Sequence, residues 1–251
     1  MAASTSDSDA PPGGHEDAPP APLLYVGHGI VAVDKPAGVP VHAGTGHERG
    51  LLEEMEVWAS MRPGVVPMRT DRGLFPLHRL DRETSGVLVF GLGRAPARRI
   101  QKAFAEHRVR KRYLAFVAGP VDAEGTLQGH VRSRLRGRYR QLPSSLSYRR
   151  LAGDERLSLV EVVPGTGRTH QIRVLFAEAG RPLAGDLRYG RPRPARQFLE
   201  RFDVPQLLLH ALELELDPEA IGHTRLLVAP PPATFRNVCE AKGWDASVLD
   251  V

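Results

Sequence analysis

The 251-residue sequence has a single cysteine, Cys239. A lone thiol cannot close an internal disulfide, so nothing points to an oxidising compartment. It also excludes a cysteine-cluster zinc or iron–sulfur site. There is no run of about eighteen or more apolar residues, so no helix is expected to span a membrane. The opening MAASTSDSDA has neither a basic start nor an apolar stretch, and no secretory signal is expected there. Walker A spacing and the dinucleotide fingerprint are both missing, which argues against a nucleotide cofactor. The lack of a Gly-x-Ser-x-Gly elbow argues against a serine hydrolase. No internal repeat is evident.

What remains is an ordinary globular composition, 41% apolar and 25% charged, with a net charge of +5. The sequence pI is about 9.7. A basic balance fits an acidic partner, nucleic acid above all. Residues 1–22 are rich in Ala, Ser, Asp, Gly and Pro and read as a disordered tail. From Leu23 to Val251 the chain reads as one catalytic unit. Helices are expected at Leu51 to Met61, at Ala95 to His107, and from His170 to Ala179 with Gly180 closing it. Strands are expected at Gly86–Phe90, Tyr113 to Ala118, Leu157 to Val163, Leu207 to Leu216 and Leu226 to Val228, with short strands across 125–150. Helices and strands mix without a regular alternation, so the expected class is α+β with a mixed sheet.

Three polar clusters interrupt apolar segments: HRLDRETSG at 78–86, GTGRTHQIR at 165–173 and Leu209-His210-Ala211. The first leads directly into a buried strand and would put Asp81 at the sheet's edge, where pockets form. Arg173, at the apolar start of a helix, could keep that carboxylate ionised. Other readings stay open. Asp81 could be a turn cap or a surface ion pair with Arg79 or Arg82. Gly165 to Arg168 could be a turn before a helix capped by Thr169, or a phosphate cradle. His78, His170 and His210 lie in separate segments without paired ligand spacing, so no metal site is expected.

Two basic sets stand out. Arg94, Arg98, Arg99, Lys102, Arg108, Arg110, Lys111 and Arg112 read as the outer face of a helix. Arg132, Arg134, Arg136, Arg138 and Arg140 alternate, which on one strand puts all five on one face. Such a row can track an RNA backbone, with Tyr139 free to stack on a base. It can equally be a solvated strand face.

At this point the residues resemble a known family, the RNA pseudouridine synthases often called the RluA family. The resemblance runs from about Ile30 to Leu227. It rests on VDKPAGVPVHAG at 33–44, HRLDRETSG at 78–86, RKRYLAFVAG at 110–119, TGRTHQIRV at 166–174, GDLRYG at 185–190 and LLHA at 208–211, in that order. It implies an α+β catalytic fold with a long mixed, largely antiparallel sheet, flanked by helices and crossed by an active-site cleft. It implies Asp81 as the essential aspartate and Arg173 as its basic partner. Arg79 would displace the uridine from its stack, Tyr113 would stack on the uracil, and Leu209 would line the base pocket. His78, Arg168, His170 and Gln171, from the same motifs, join the expected substrate-binding set. It implies no metal and no organic cofactor. The expected partner is ribosomal or transfer RNA, and the expected setting is a monomer in the cytoplasm, away from membranes.

Those roles fit the chemistry. A stacked uridine must be extruded before its C1′ can be reached, at a cost of a few kcal/mol. A carboxylate can then act on the sugar, as nucleophile or as base at C2′. Apolar and aromatic walls let the freed base turn without locking it in place. The sequence departs from the family pattern in lacking a small basic RNA-binding domain before Leu23. It also departs around Leu146-Ser147-Tyr148 and from Asp217 to His223. Two other functions compete. One is a catalytically silent RNA-binding factor on the same fold, which need not keep Asp81, Tyr113 and Arg173. The other is a carboxylate hydrolase, which needs a second positioned acid, and Glu83 shows no partner in the sequence.

Overall fold

A computed structural model of the chain describes residues 18–44, 49–66, 73–135 and 138–250. Ala21 is buried, and Pro22 O accepts a hydrogen bond from Asp34 N (2.9 Å). The packed chain therefore begins before Leu23, and the part of the expected tail before residue 18 lies outside the described residues.

The first strands are β1 (Leu23–Gly27) and β2 (Ile30–Lys35), followed by helix α1 (Leu51–Ser60). α1 starts at Gly50, whose N–H donates to Glu53 Oε2 (2.8 Å) and so satisfies an end group the helix cannot. After β3 (Leu74–Pro76) and β4 (Ser85–Leu92), α2 (Arg94–Ala105) stops two residues short of His107. His107 sits at φ 58, outside the helical region. β5 (Val109–Ala118) is longer than expected. The 125–150 region does not hold several short strands. It is one hairpin of two long strands, β6 (Glu124–Leu135) and β7 (Arg138–Gly153). β8 (Leu157–Pro164) leads to α3 (Gln171–Glu178), whose N-cap is His170 at φ 55 and not Thr169. α4 (Pro192–Phe202) was not anticipated. β9 (Leu209–Leu216), the short α5 (Pro218–Ile221) and β10 (Arg225–Val228) precede a second unanticipated helix, α6 (Ala233–Ala241).

The strands form one sheet in the order β1-β2-β4-β9-β5-β8-β7-β6, with β10 on β9 and β3 on β4. All pairs are antiparallel except β4 with β9, which run parallel through Ser85↔His210 and Gly86↔Ala211. The expected α+β class with a long, mainly antiparallel mixed sheet is what the chain forms.

Helices cover both faces, and this explains the continuous apolar runs. Ile30, Ala32, Val87 and Val89 face Ala97, Ile100 and Ala103 of α2. Their neighbours Val31, Val33, Leu88 and Phe90 face Leu51, Met55 and Trp58 of α1. In β5, Leu114 and Phe116 meet Phe235 and Val238 of α6, while Ala115 and Val117 meet Ile172, Leu175 and Phe176 of α3. Each fully buried large side chain among these contributes about 2 kcal/mol.

The hairpin register overturns the single arginine row. Leu135 pairs with Arg138, Arg134 with Tyr139, Ser133 with Arg140 and Arg132 with Gln141. Directly paired residues share a face. Arg132 therefore falls on one face of the ribbon, and Arg138 and Arg140 on the other. The alternation read along one strand breaks where the chain reverses. Arg136 lies outside the described residues. Arg132 lies over the Tyr139 ring at 4.1 Å, so in this state Tyr139 is covered by a cation. No helix among the described residues is long and apolar enough to cross a membrane.

Candidate active site

Asp81 sits in a turn closed by Thr84 N donating to Asp81 O (3.1 Å), immediately before β4. Two devices hold that turn. Gly38 N donates to Arg82 O (2.8 Å), and Arg82 Nε returns a bond to Gly38 O (2.9 Å). Lys35, fully buried, donates from Nζ to Pro36 O (2.8 Å), Val39 O (2.7 Å) and Arg82 O (3.1 Å). Burial lowers the Lys35 ammonium to about 8, against the pull of Glu83, Asp81 and Asp34. The sequence offered only a Lys-Pro pair here. That a buried cation ties the loop after β2 to the Asp81 turn is visible only in the fold.

The turn enters β4 at Gly86, where φ is +107 and a Cβ would stand 2.2 Å from Ala211 O. Only glycine lets β4 approach β9 this closely. That contact sets Asp81 opposite Leu209, which is buried on β9, and Tyr113 on β5. The β5–β9 register shifts between Arg112 and Tyr113, a bulge of the kind that re-aims a side chain. Burial first, then the charge of Asp81, pushes the Tyr113 hydroxyl far above the usual phenol range, so it stays protonated.

Arg173 is the centre of the charged network. Its Nη1 lies 3.3 Å from Asp81 Oδ2 and 3.4 Å from Glu83 Oε2. Glu83 thus has a partner that the sequence did not reveal. Nε and Nη2 of the same guanidinium grip Asp186 Oδ2 (2.8 Å) and Oδ1 (3.0 Å). Asp186 is fully buried and also accepts from the Arg188 and Tyr189 amides. Burial would raise its carboxyl, but Arg173 and the two amides hold it below the usual carboxylate range. Asp186 lies in GDLRYG, quoted for resemblance alone; the orienting carboxylate became visible only when the fold placed it against Arg173.

The remaining expected residues line the same space, a cavity of about 620 Å³ walled by His78, Arg79, Asp81, Tyr113, Arg168, His170, Gln171, Arg173 and Leu209 among others. Their roles divide. His170 Nδ1 is hydrogen-bonded to the Tyr189 hydroxyl (2.8 Å), and Nε2 lies 3.6 Å from Asp81 Oδ1. Burial lowers its pKa, with Asp81 opposing. His78 accepts from Val89 N at Nε2 (3.2 Å) and stacks on Phe104, and burial drives it down to about 3. Gln171 points its amide into the preceding loop, accepting from Thr166 Oγ1 and Arg168 N and donating to Ser145 O (2.8 Å). It shapes the wall and holds the loop. Arg79 and Arg168 are exposed at the cavity edge. His210 is removed from the cavity, bonded to Ser85 Oγ (2.9 Å) and Ala229 O (2.9 Å).

The first basic set also divides. Arg110 and Lys111 belong to β5, not to the outer face of a helix, and both line the cavity. Arg112 instead joins Glu213 and Glu161 in a half-buried ion-pair network. A second cavity, about 730 Å³, opens on the other side of Asp81 and shares Arg79, Leu80, His170 and Arg173 with the first.

The family model for RNA pseudouridylate synthase matches residues 29–178. The tRNA pseudouridine synthase C of Salmonella typhi is 33% identical, over 91% of this chain and 92% of its own length. That of Vibrio parahaemolyticus is 31% identical over 90% and 97%. The ribosomal large subunit pseudouridine synthase C of Vibrio cholerae is 35% identical over 77% of this chain and 60% of its own. Among solved structures, Human RNA Pseudouridylate Synthase Domain Containing 4 superposes with a TM-score of 0.71 at 24% identity, over 87% of this chain and 91% of that one; it shares the fold. The motifs that the folded sheet gathers around Asp81 and the sequence match across most of the chain agree, and the chain belongs to the RNA pseudouridine synthase family.

Proposed function

We propose that Asp81 is the carboxylate through which this enzyme isomerises a uridine of structured RNA, and that transfer RNA is the substrate class. The observation that carries the reading is the placement of Asp81. Its side chain is nearly buried, 3.3 Å from the Arg173 guanidinium, in a cavity walled by Tyr113 and Leu209. A fixed cation thus faces the carboxylate.

In the net reaction the C1′–N1 bond breaks, the uracil turns, and a C1′–C5 bond forms. C5 loses its proton and N1 gains one, so no redox partner is needed. Asp81 supplies the negative charge at the sugar. Tyr113, uncharged, and Leu209 hold the loose base by contact alone, which leaves it free to rotate. Keeping both fragments in one cavity supplies much of the rate gain. Arg79, exposed beside Asp81, is placed to enter the stack as the uridine leaves. Arg168 and His170 complete the substrate wall.

Similarity to relatives named for tRNA supports transfer RNA. Those relatives match 91% and 90% of this chain over 92% and 97% of their own lengths. Asp81→Asn keeps the volume and removes the charge. We expect it to lower single-turnover isomerisation of a tRNA transcript by at least about 10³-fold while RNA affinity changes little. Substantial turnover by that variant would refute the role.

A further inference from the structure

Lys111 is a half-buried ammonium with no counter-charge among the described residues. It lines the 620 Å³ cavity, and among the described residues it makes no ion pair and donates no hydrogen bond. Its neighbours on the strand differ. Arg112 is matched by two carboxylates, and Lys35, the other buried lysine near the site, is satisfied by three carbonyls. Burial lowers the Lys111 pKa, and among the described residues no acidic side chain opposes that. Its charge also helps keep His78 neutral. An unmatched ammonium withdrawn from water destabilises a fold. Such a cost is expected where a ligand supplies the missing charge.

The surroundings state the ligand's sign and size. Nζ lies 3.8 Å from where a Cβ would stand on Gly167, so the Gly165–Gly167 turn leaves open backbone beside the ammonium. Arg168 follows that turn and Arg110 precedes Lys111, and both are exposed at the same cavity. Three cations around a turn with glycine at 165 and 167 fit a phosphate group.

We infer that Lys111, with the Gly165–Gly167 turn and Arg168, forms a phosphate site for the RNA strand that carries the target uridine. This rests on the reading of the cavity as the uridine site. The ligand is one backbone phosphate next to the target nucleotide. Gripping it fixes the ribose against Asp81, so the site positions the sugar as well as adding affinity.

The test uses Lys111→Met, which keeps length and removes charge. RNA affinity should fall about 10–100-fold, the range for a hydrogen bond to a charged group. The salt slope should flatten by about 0.7, one phosphate on a single strand. The free protein should melt at a higher temperature than wild type, an outcome that a structural role for Lys111 would reverse. Substrate RNAs with a single methylphosphonate, scanned across the phosphates flanking the target, should include one that weakens wild-type binding yet has no added effect on Lys111→Met. An unchanged salt slope, a lower melting temperature, or additive losses at every position would each overturn the site. The turnover of Asp81→Asn reports separately on the uridine site, so the failure of one assignment is not mistaken for the other.

Discussion

Replacing Asp186 by Asn should unfasten the active-site cation. The Arg173 guanidinium is 5% exposed and Asp186 is 1% exposed. Two of three guanidinium nitrogens are committed to Asp186 at 2.8 and 3.0 Å, and the third meets Asp81 and Glu83 at the longer distances of 3.3 and 3.4 Å. Asn keeps the shape and one acceptor for the Arg188 and Tyr189 amides, but its NH₂ group opposes the guanidinium. Breaking a buried pair while leaving one charge behind costs about 3–5 kcal/mol. In a domain of this size each kcal/mol shifts Tm by about 2–4 °C, so a drop of about 10 °C is expected. Urea unfolding at pH 7 measures the free energy directly. Arg173 should also turn toward Asp81, and single-turnover isomerisation should slow at temperatures where the variant is still folded. The acid limb gives an independent check. Because the folded Asp186 carboxyl lies below its unfolded value, its contribution is full above about pH 3.8 and is lost as pH falls through the lower folded value. The variant has no such contribution to lose. A stability loss under about 1 kcal/mol with unchanged turnover would refute the claim that Asp186 holds Arg173 in place.

Gly86→Ala adds a methyl 2.2 Å from Ala211 O at φ +107, and should cost about 3 kcal/mol or more and reduce turnover, because β4 and β9 must part; denaturant melts and activity measure this together. His210 is buried with a pKa depressed to about 4, so it should contribute about 3 kcal/mol to the fall in wild-type stability as pH drops from 6.5 to 4, where the unfolded chain takes up a proton and the folded one does not, with His78 adding to the same limb. His210→Gln should flatten that limb in urea titrations, and an unchanged limb would show that His210 is not its source. On the hairpin, Arg132 and Arg140 lie on opposite faces, so RNA crossing one face should make only one of Arg132→Gln and Arg140→Gln flatten the salt dependence of binding. Equal effects would restore the picture of one continuous row.

Much of the site was legible as residue types in order. Asp81, Arg173, Tyr113 and Leu209 come from four segments that the motifs marked. Helical spacing showed α1 and α2, and apolar runs showed β4, β8 and β9. The unanticipated α4 and α6 do carry the helical signal: Ala195, Phe198, Leu199 and Phe202, and Phe235, Val238 and Cys239, recur at three- and four-residue steps, and all but Ala195 pack in one core cluster; the flanking prolines masked the pattern. Thr169 looked like a cap because caps are read from residue type, yet the chain turns left-handed at His170 one residue later. The arginine alternation misled because its members lie on two paired antiparallel strands, β6 and β7, and not on one.

The linear order of residues by itself determined the family chemistry, the α+β class and which polar clusters matter, since those depend on local pattern and residue type. The tertiary structure alone decided the partners. Asp186 grips Arg173, Lys35 ties the loop after β2 to the Asp81 turn, and Lys111 is left unmatched among the described residues. Each of these depends on which groups from separate segments come within a few ångströms of one another away from water, and distance in space is not written in sequence spacing.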